Sequence, residues 1–106
     1  MATYKVVNHY HFKKGMEKKG EKFIEDELLK AAKKCGCHDI EFGQDKDDNG
    51  HFIGMGTWDS LKDLENFHKE WKVNEQELMK MCEHRPHRDV LEIKLSTEKK
   101  PKKRAA

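Results

Sequence analysis

The sequence predicts one α+β domain in the order βαββαβ, a four-stranded antiparallel sheet with helices on one face. Three observations predict it. Apolar residues alternate at period two in short runs, recur at spacings of three, four and seven in two long charged stretches, and are separated by Gly, Pro or polar turn residues.

From Thr3 to Phe12 the chain alternates, with Tyr4, Val6, Asn8, Tyr10 and Phe12 on one face and Lys5, Val7, His9 and His11 on the other, which predicts a strand. After Gly15, the residues Met16, Phe23, Ile24, Leu28, Ala31, Ala32 and Cys35 build an apolar stripe among Lys and Glu. This is a long amphipathic helix, with Gly36 as its stop. Ile40 and Phe42 alternate with Asp39 and Glu41, and the polar stretch Asp45 to Gly50 leads into a second alternating run, His51 to Trp58. The pair reads as a β-hairpin. Ser60 followed by Asp63 resembles a capping box, opening a helix whose Leu61, Leu64, Phe67, His68 and Trp71 share a face. Asn74 with Glu77 repeats the signal, so a break near Lys72 and Val73 is expected, with Leu78, Met79 and Cys82 on a second piece. Pro86 ends the helical stretch, and Leu91, Ile93 and Leu95 alternate with charges in a last strand. The domain spans 1–96, and 97–106 is expected to be a mobile basic tail.

At 106 residues the chain can bury only a thin core, which a partner subunit would complete. The formal charge of +2 misleads, because Lys99, Lys100, Lys102, Lys103 and Arg104 crowd the tail. Without those five, 17 basic residues face 20 acidic ones, about −3, so the body lacks the electrostatic footprint of a phosphate binder. Nucleic acid is not an expected partner. No run is apolar enough to cross a membrane, and the start lacks a signal peptide's charged leader and apolar stretch, so a cytoplasmic location is expected. The tail resembles a nuclear-localisation signal if the source is eukaryotic. Cys35, Cys37 and Cys82 match neither a disulfide framework nor a zinc spacing, and reduced structural thiols are expected.

The element order is ferredoxin-like, an arrangement shared by many functions. The run Gly56-Thr57-Trp58-Asp59-Ser60-Leu61-Lys62-Asp63-Leu64-Glu65-Asn66-Phe67-His68 resembles the strand-end Trp, capping Ser and Leu-x-x-aromatic-His helix of antibiotic-biosynthesis-monooxygenase-like proteins. The resemblance implies a dimeric α+β barrel, a homodimer with two sheets face to face and a cavity between each sheet and its own helices. It further implies a small-molecule binder or cofactor-free monooxygenase acting on a quinol-like or polyphenolic aromatic. A heme-degrading branch shares a first-strand Asn, which Asn8 matches. That branch's helix Trp falls on Phe67, however, and its heme-coordinating His has no counterpart between Trp71 and Cys82. Heme is therefore a lesser alternative, and no cofactor is the expectation.

Several residues carry two readings. Asn8 interrupts an apolar face, where a buried amide must be answered; it is either a donor orienting a substrate oxygen or a satisfied structural amide. Trp58 shares its face with Phe52, Gly54 and Gly56, either a glycine-floored pocket walled by Trp58 or a place where a helix packs closely and Trp58 is core. His68 is an acid/base or ligand candidate, or else a half-exposed surface residue. The expected catalytic group is thus Asn8, Trp58 and His68, with Tyr10, Phe52, Gly54, Gly56, Phe67 and Trp71 lining the pocket. His9 and His11 share a strand face, but no carboxylate or Cys at the required spacing completes a metal set, and His84 and His87 flank a turn. No metal site is expected.

The rival reading is a non-catalytic dimerisation module whose pocket residues are packing. Either reading predicts a homodimer. Val7, Ile53 and Met55, mixed with His9, His11 and Thr57, form a patch on the sheet's outer face. Covering several hundred Å² of it at about 25 cal/mol per Å² offers on the order of ten kcal/mol before association entropy.

Overall fold

A computed structural model describes residues 2–97. The basic run Lys99 to Arg104, and with it all but the first residue of the expected tail, lies outside the described residues. The elements are β1 (Tyr4–His11), α1 (Glu17–Phe23), a π-helical turn (Ile24–Leu28), α2 (Leu29–Lys34), β2 (His38–Gln44), β3 (His51–Trp58), α3 (Leu61–Lys80) and β4 (His87–Glu92). The four strands form one antiparallel sheet in the order β2-β3-β1-β4, which is the ferredoxin-like order.

The central pair β1–β3 sets the faces. Its register places Val6 opposite Gly56, Asn8 opposite Gly54 and Tyr10 opposite Phe52, so these residues point together toward the helices. Val6, Tyr10, Phe52 and Trp58 are buried there against Ile24, Leu28 and Ala32 of the first helical arm and Leu64, Phe67, Trp71 and Leu78 of α3. The opposite face carries Lys5, Val7, His9 and His11 beside Thr57, Met55, Ile53 and His51. Gly36 stops the first arm with φ +113°, a backbone region that disfavours any side chain, as expected of a residue just past a helix end. The π-helical turn in mid-arm is not visible in the apolar spacing.

Ser60 caps α3 as expected, its Oγ accepting the backbone N–H of Lys62 at 3.1 Å and of Asp63 at 3.2 Å. The expected break near Lys72 and Val73 does not occur, and α3 runs unbroken through both. The stripe Leu64, Phe67, Trp71, Leu78 keeps its phase because Asn74 and Glu75 occupy the intervening turn, half-buried, while Val73 faces outward. Asn74 and Glu77 are helix interior and cap nothing. Leu61 also departs from its expected place on the buried face and is largely exposed at the first turn.

The last strand is shifted. It begins at His87 and ends at Glu92, so Leu91 belongs to it whereas Leu95 is free of the sheet. Ile93 keeps one tie, donating its backbone N–H to the Thr3 carbonyl at 2.9 Å. As an edge strand it needs little apolar content, and its charged first half hides it from an alternation test.

Candidate functional site

Two small cavities adjoin between the sheet and the helices, one of about 50 Å³ and one of about 30 Å³. Asn8, Tyr10, Leu28, Phe67 and His68 line both. The larger is otherwise walled mainly by apolar groups, with Trp58 and Leu64 at one side and Leu28, Leu29 and Ala32 of the first arm at the other. Leu28 belongs to the π-helical turn and Leu29 directly follows it, so the locally widened stretch of helix borders this space.

Four polar groups stand without an answer in this apolar setting. Among the described residues, the Asn8 amide, the Tyr10 phenol, the His68 ring and the Trp58 indole N–H have no hydrogen-bonding partner. The cost of leaving a polar group unanswered falls chiefly on Trp58, which is 2% exposed, and on the buried Tyr10, whereas Asn8 and His68 are half-buried. Half-burial, aided by the positive charge of Arg88, lowers the His68 pKa to about 4. At neutral pH the ring is therefore uncharged, with one nitrogen that donates and one that accepts. A base so weak orients a hydroxyl better than it removes its proton. Burial raises the Tyr10 phenol well above its usual value, so it stays protonated.

The remaining expected pocket residues divide. Phe67 lies between the Trp58 and Trp71 rings, at centroid distances of 5.5 and 6.0 Å. Trp71 borders the smaller cavity alone. Phe52 lines neither: its ring sits between Phe12 at 5.3 Å and Phe42 at 5.4 Å, within the core. Gly54 and Gly56 do face the larger cavity, yet the room made by their missing side chains is mostly taken. A Cβ on Gly56 would stand 2.5 Å from the Cys37 sulfur, and one on Gly54 would stand 3.0 Å from the Phe42 ring. The glycines thus admit close neighbours rather than floor an open pocket.

Cys37 and Cys82 are buried, and burial pushes both thiols up to about 11, which suits packing rather than nucleophilic chemistry. On the sheet's other face the strand register brings His51 beside His11, and the β2–β3 turn brings Asp48 to the same place. Sequence spacing alone does not show this group, because His11 is far along the chain from Asp48 and His51 and meets them only through strand pairing.

No family model matches the sequence, and no curated protein matches it. Solved structures do. A conserved protein from Methanosarcina mazei Go1 superimposes with a TM-score of 0.79 at 14% identity, covering 89% of this chain and 95% of that one. A protein described as an antibiotic biosynthesis monooxygenase gives 0.71 at 14% identity, covering 88% and 98%. The chain has the antibiotic-biosynthesis-monooxygenase-like fold. A variant of SnoaB, a cofactor-independent oxygenase from Streptomyces nogalater, gives 0.74 at 10% identity, covering 93% and 97%. The chain therefore fills almost the whole length of these three structural neighbours. No helix among the described residues is long and apolar enough to cross a membrane.

Proposed function

We propose that this chain is a homodimeric small-molecule-binding protein that takes a single-ring, phenol- or quinol-like molecule in the cavity beside Asn8. The observation carrying the reading is the set of unanswered polar groups, Asn8, Tyr10, His68 and Trp58, around one apolar space. An aromatic ring suits the walls and a ring hydroxyl suits the amide and the neutral imidazole. Size limits the ligand. A cavity of about 50 Å³ is a third of the roughly 150 Å³ that admits benzene, so even one ring must displace the walls, and a heme does not fit. Widening at Leu28 and Leu29, where the helix already departs from α geometry, is the least costly route.

Oxygenation is the reaction to which such binding leads, by analogy with neighbours described as oxygenases. A bound phenol can react with dioxygen without any cofactor: its para C–H carbon becomes a carbonyl, one oxygen atom enters the ring and the other leaves as water. Four electrons pass from the phenol to dioxygen, and atoms balance. In this scheme Asn8 and His68 hold the hydroxyl, and the apolar walls exclude water.

The test is a titration of the full chain with single-ring phenols and quinols, read by quenching of Trp58 and Trp71 fluorescence, with oxygen uptake in parallel. Saturable quenching that Asn8→Leu abolishes supports the site, and oxygen uptake dependent on the same residue supports catalysis. No saturable binding across the series would overturn the reading and leave a dimerisation module.

A further inference from the structure

We propose that His11, His51 and Asp48 form a binding site for a divalent transition-metal ion of zinc-like character, on the face of the sheet opposite the cavity. One potential ligand atom from each lies within 4.8 Å of the others. Two imidazoles and one carboxylate are a ligand set suited to zinc and its neighbours in the first transition row.

The site is assembled by strand pairing. His11 ends β1 and His51 opens β3, directly opposite in the register. Asp48 comes from the connecting turn, which is held by its own hydrogen bonds: Asp48 Oδ1 accepts the Gly50 N–H at 3.1 Å, and Phe12 donates its N–H to the Gly50 carbonyl at 2.8 Å. The second oxygen of Asp48 remains for a cation. Asp45 Oδ2 lies 3.3 Å from His51 Nδ1. A proton on that nitrogen leaves the lone pair on Nε2, where it now meets His9 Nδ1 at 3.2 Å; a carboxylate behind a metal-bound histidine fixes its tautomer in the same way.

His9 stands outside this group: its Nδ1 lies at hydrogen-bond distance, 3.2 Å, from His51 Nε2, a contact that a cation on that nitrogen would replace. One adjustment is required. The His11 and His51 rings are stacked, centroids 4.3 Å apart and 9° from parallel, and lone pairs in parallel planes do not converge. Loading must turn the His11 ring about its Cβ–Cγ bond, out of its stack with His51 and past the His84 ring, whose centroid is 4.9 Å away. The inference does not depend on the cavity reading, because these groups lie across the sheet from it, on the face that the expected dimer brings toward a second copy.

The experiment is calorimetric titration of the tag-free full chain with zinc, after dialysis against a chelator, with cobalt as a spectroscopic probe. One saturable site is expected, with the visible absorption of tetrahedral cobalt and histidine ring NMR shifts at His11 and His51. Asp48→Asn, at an exposed turn, and His51→Gln, which keeps the bulk of the ring, should each weaken binding roughly tenfold or more. His84→Ala should leave it unchanged. Absence of saturable binding, binding indifferent to both variants, or binding lost only with His84→Ala would each overturn the proposal.

Discussion

At His68, position on the buried stripe rather than chemistry sets the protonation state. The sign of its pH dependence follows: the folded ring takes a proton only near pH 4, whereas the unfolded ring takes one near 6.5. Between those values the unfolded chain binds more protons, so this residue's contribution to stability falls as pH falls. We expect the urea midpoint of the wild type to drop more between pH 7 and pH 5 than that of His68→Gln, and equal drops would place the ring in water. Asn8 leads to a second outcome. If its amide is held unanswered for a ligand, Asn8→Leu should raise folding stability, on the order of 1 kcal/mol by denaturant titration, while abolishing phenol binding. Asn8 and His68 were legible in the sequence because each breaks an apolar pattern. Phe52 was misplaced for the converse reason, since face alone cannot tell a cavity wall from a ring stacked between two others.

At the level of elements, the strands and helices were legible wherever one face is apolar and the other is not. They were illegible where that contrast fails. Asn74 and Glu77 imitate a cap, although the Leu64 to Leu78 stripe passes through them in phase, and β4 opens on His87, Arg88 and Asp89 with no alternation to find. Hydrogen exchange should show Val73 and Asn74 amides protected like the rest of the mid-helix; fast exchange there would restore the break. Two substitutions test the joins. Ser60→Ala should cost about 1 kcal/mol through loss of the α3 cap. Gly56→Ala should destabilise more, because its methyl group meets the Cys37 sulfur, and the paired Gly56→Ala/Cys37→Ala change should recover part of the loss.

For the molecule as a whole, the thin core and the half-buried outer residues Val7, Ile53 and Met55 favour a second copy laid sheet against sheet. Sedimentation of the full chain at micromolar concentration should give a dimer, and Met55→Lys should shift it toward monomer; a well-folded monomer in the wild type would remove the dimeric barrel from the description. The borders of the sheet bear on how far such association goes. At one edge β2 breaks its pairing between His38 and Glu41, where Asp39 takes a left-handed backbone with φ +52°, and at the other β4 presents His87, Arg88, Asp89 and Glu92. A kinked border and a charged one are both poor templates for an incoming strand. Growth by adding strands would be open-ended and lead to fibres, whereas faces that cover each other across a two-fold axis leave nothing further to add. The irregularity of the margins would thus hold any self-association to a closed pair.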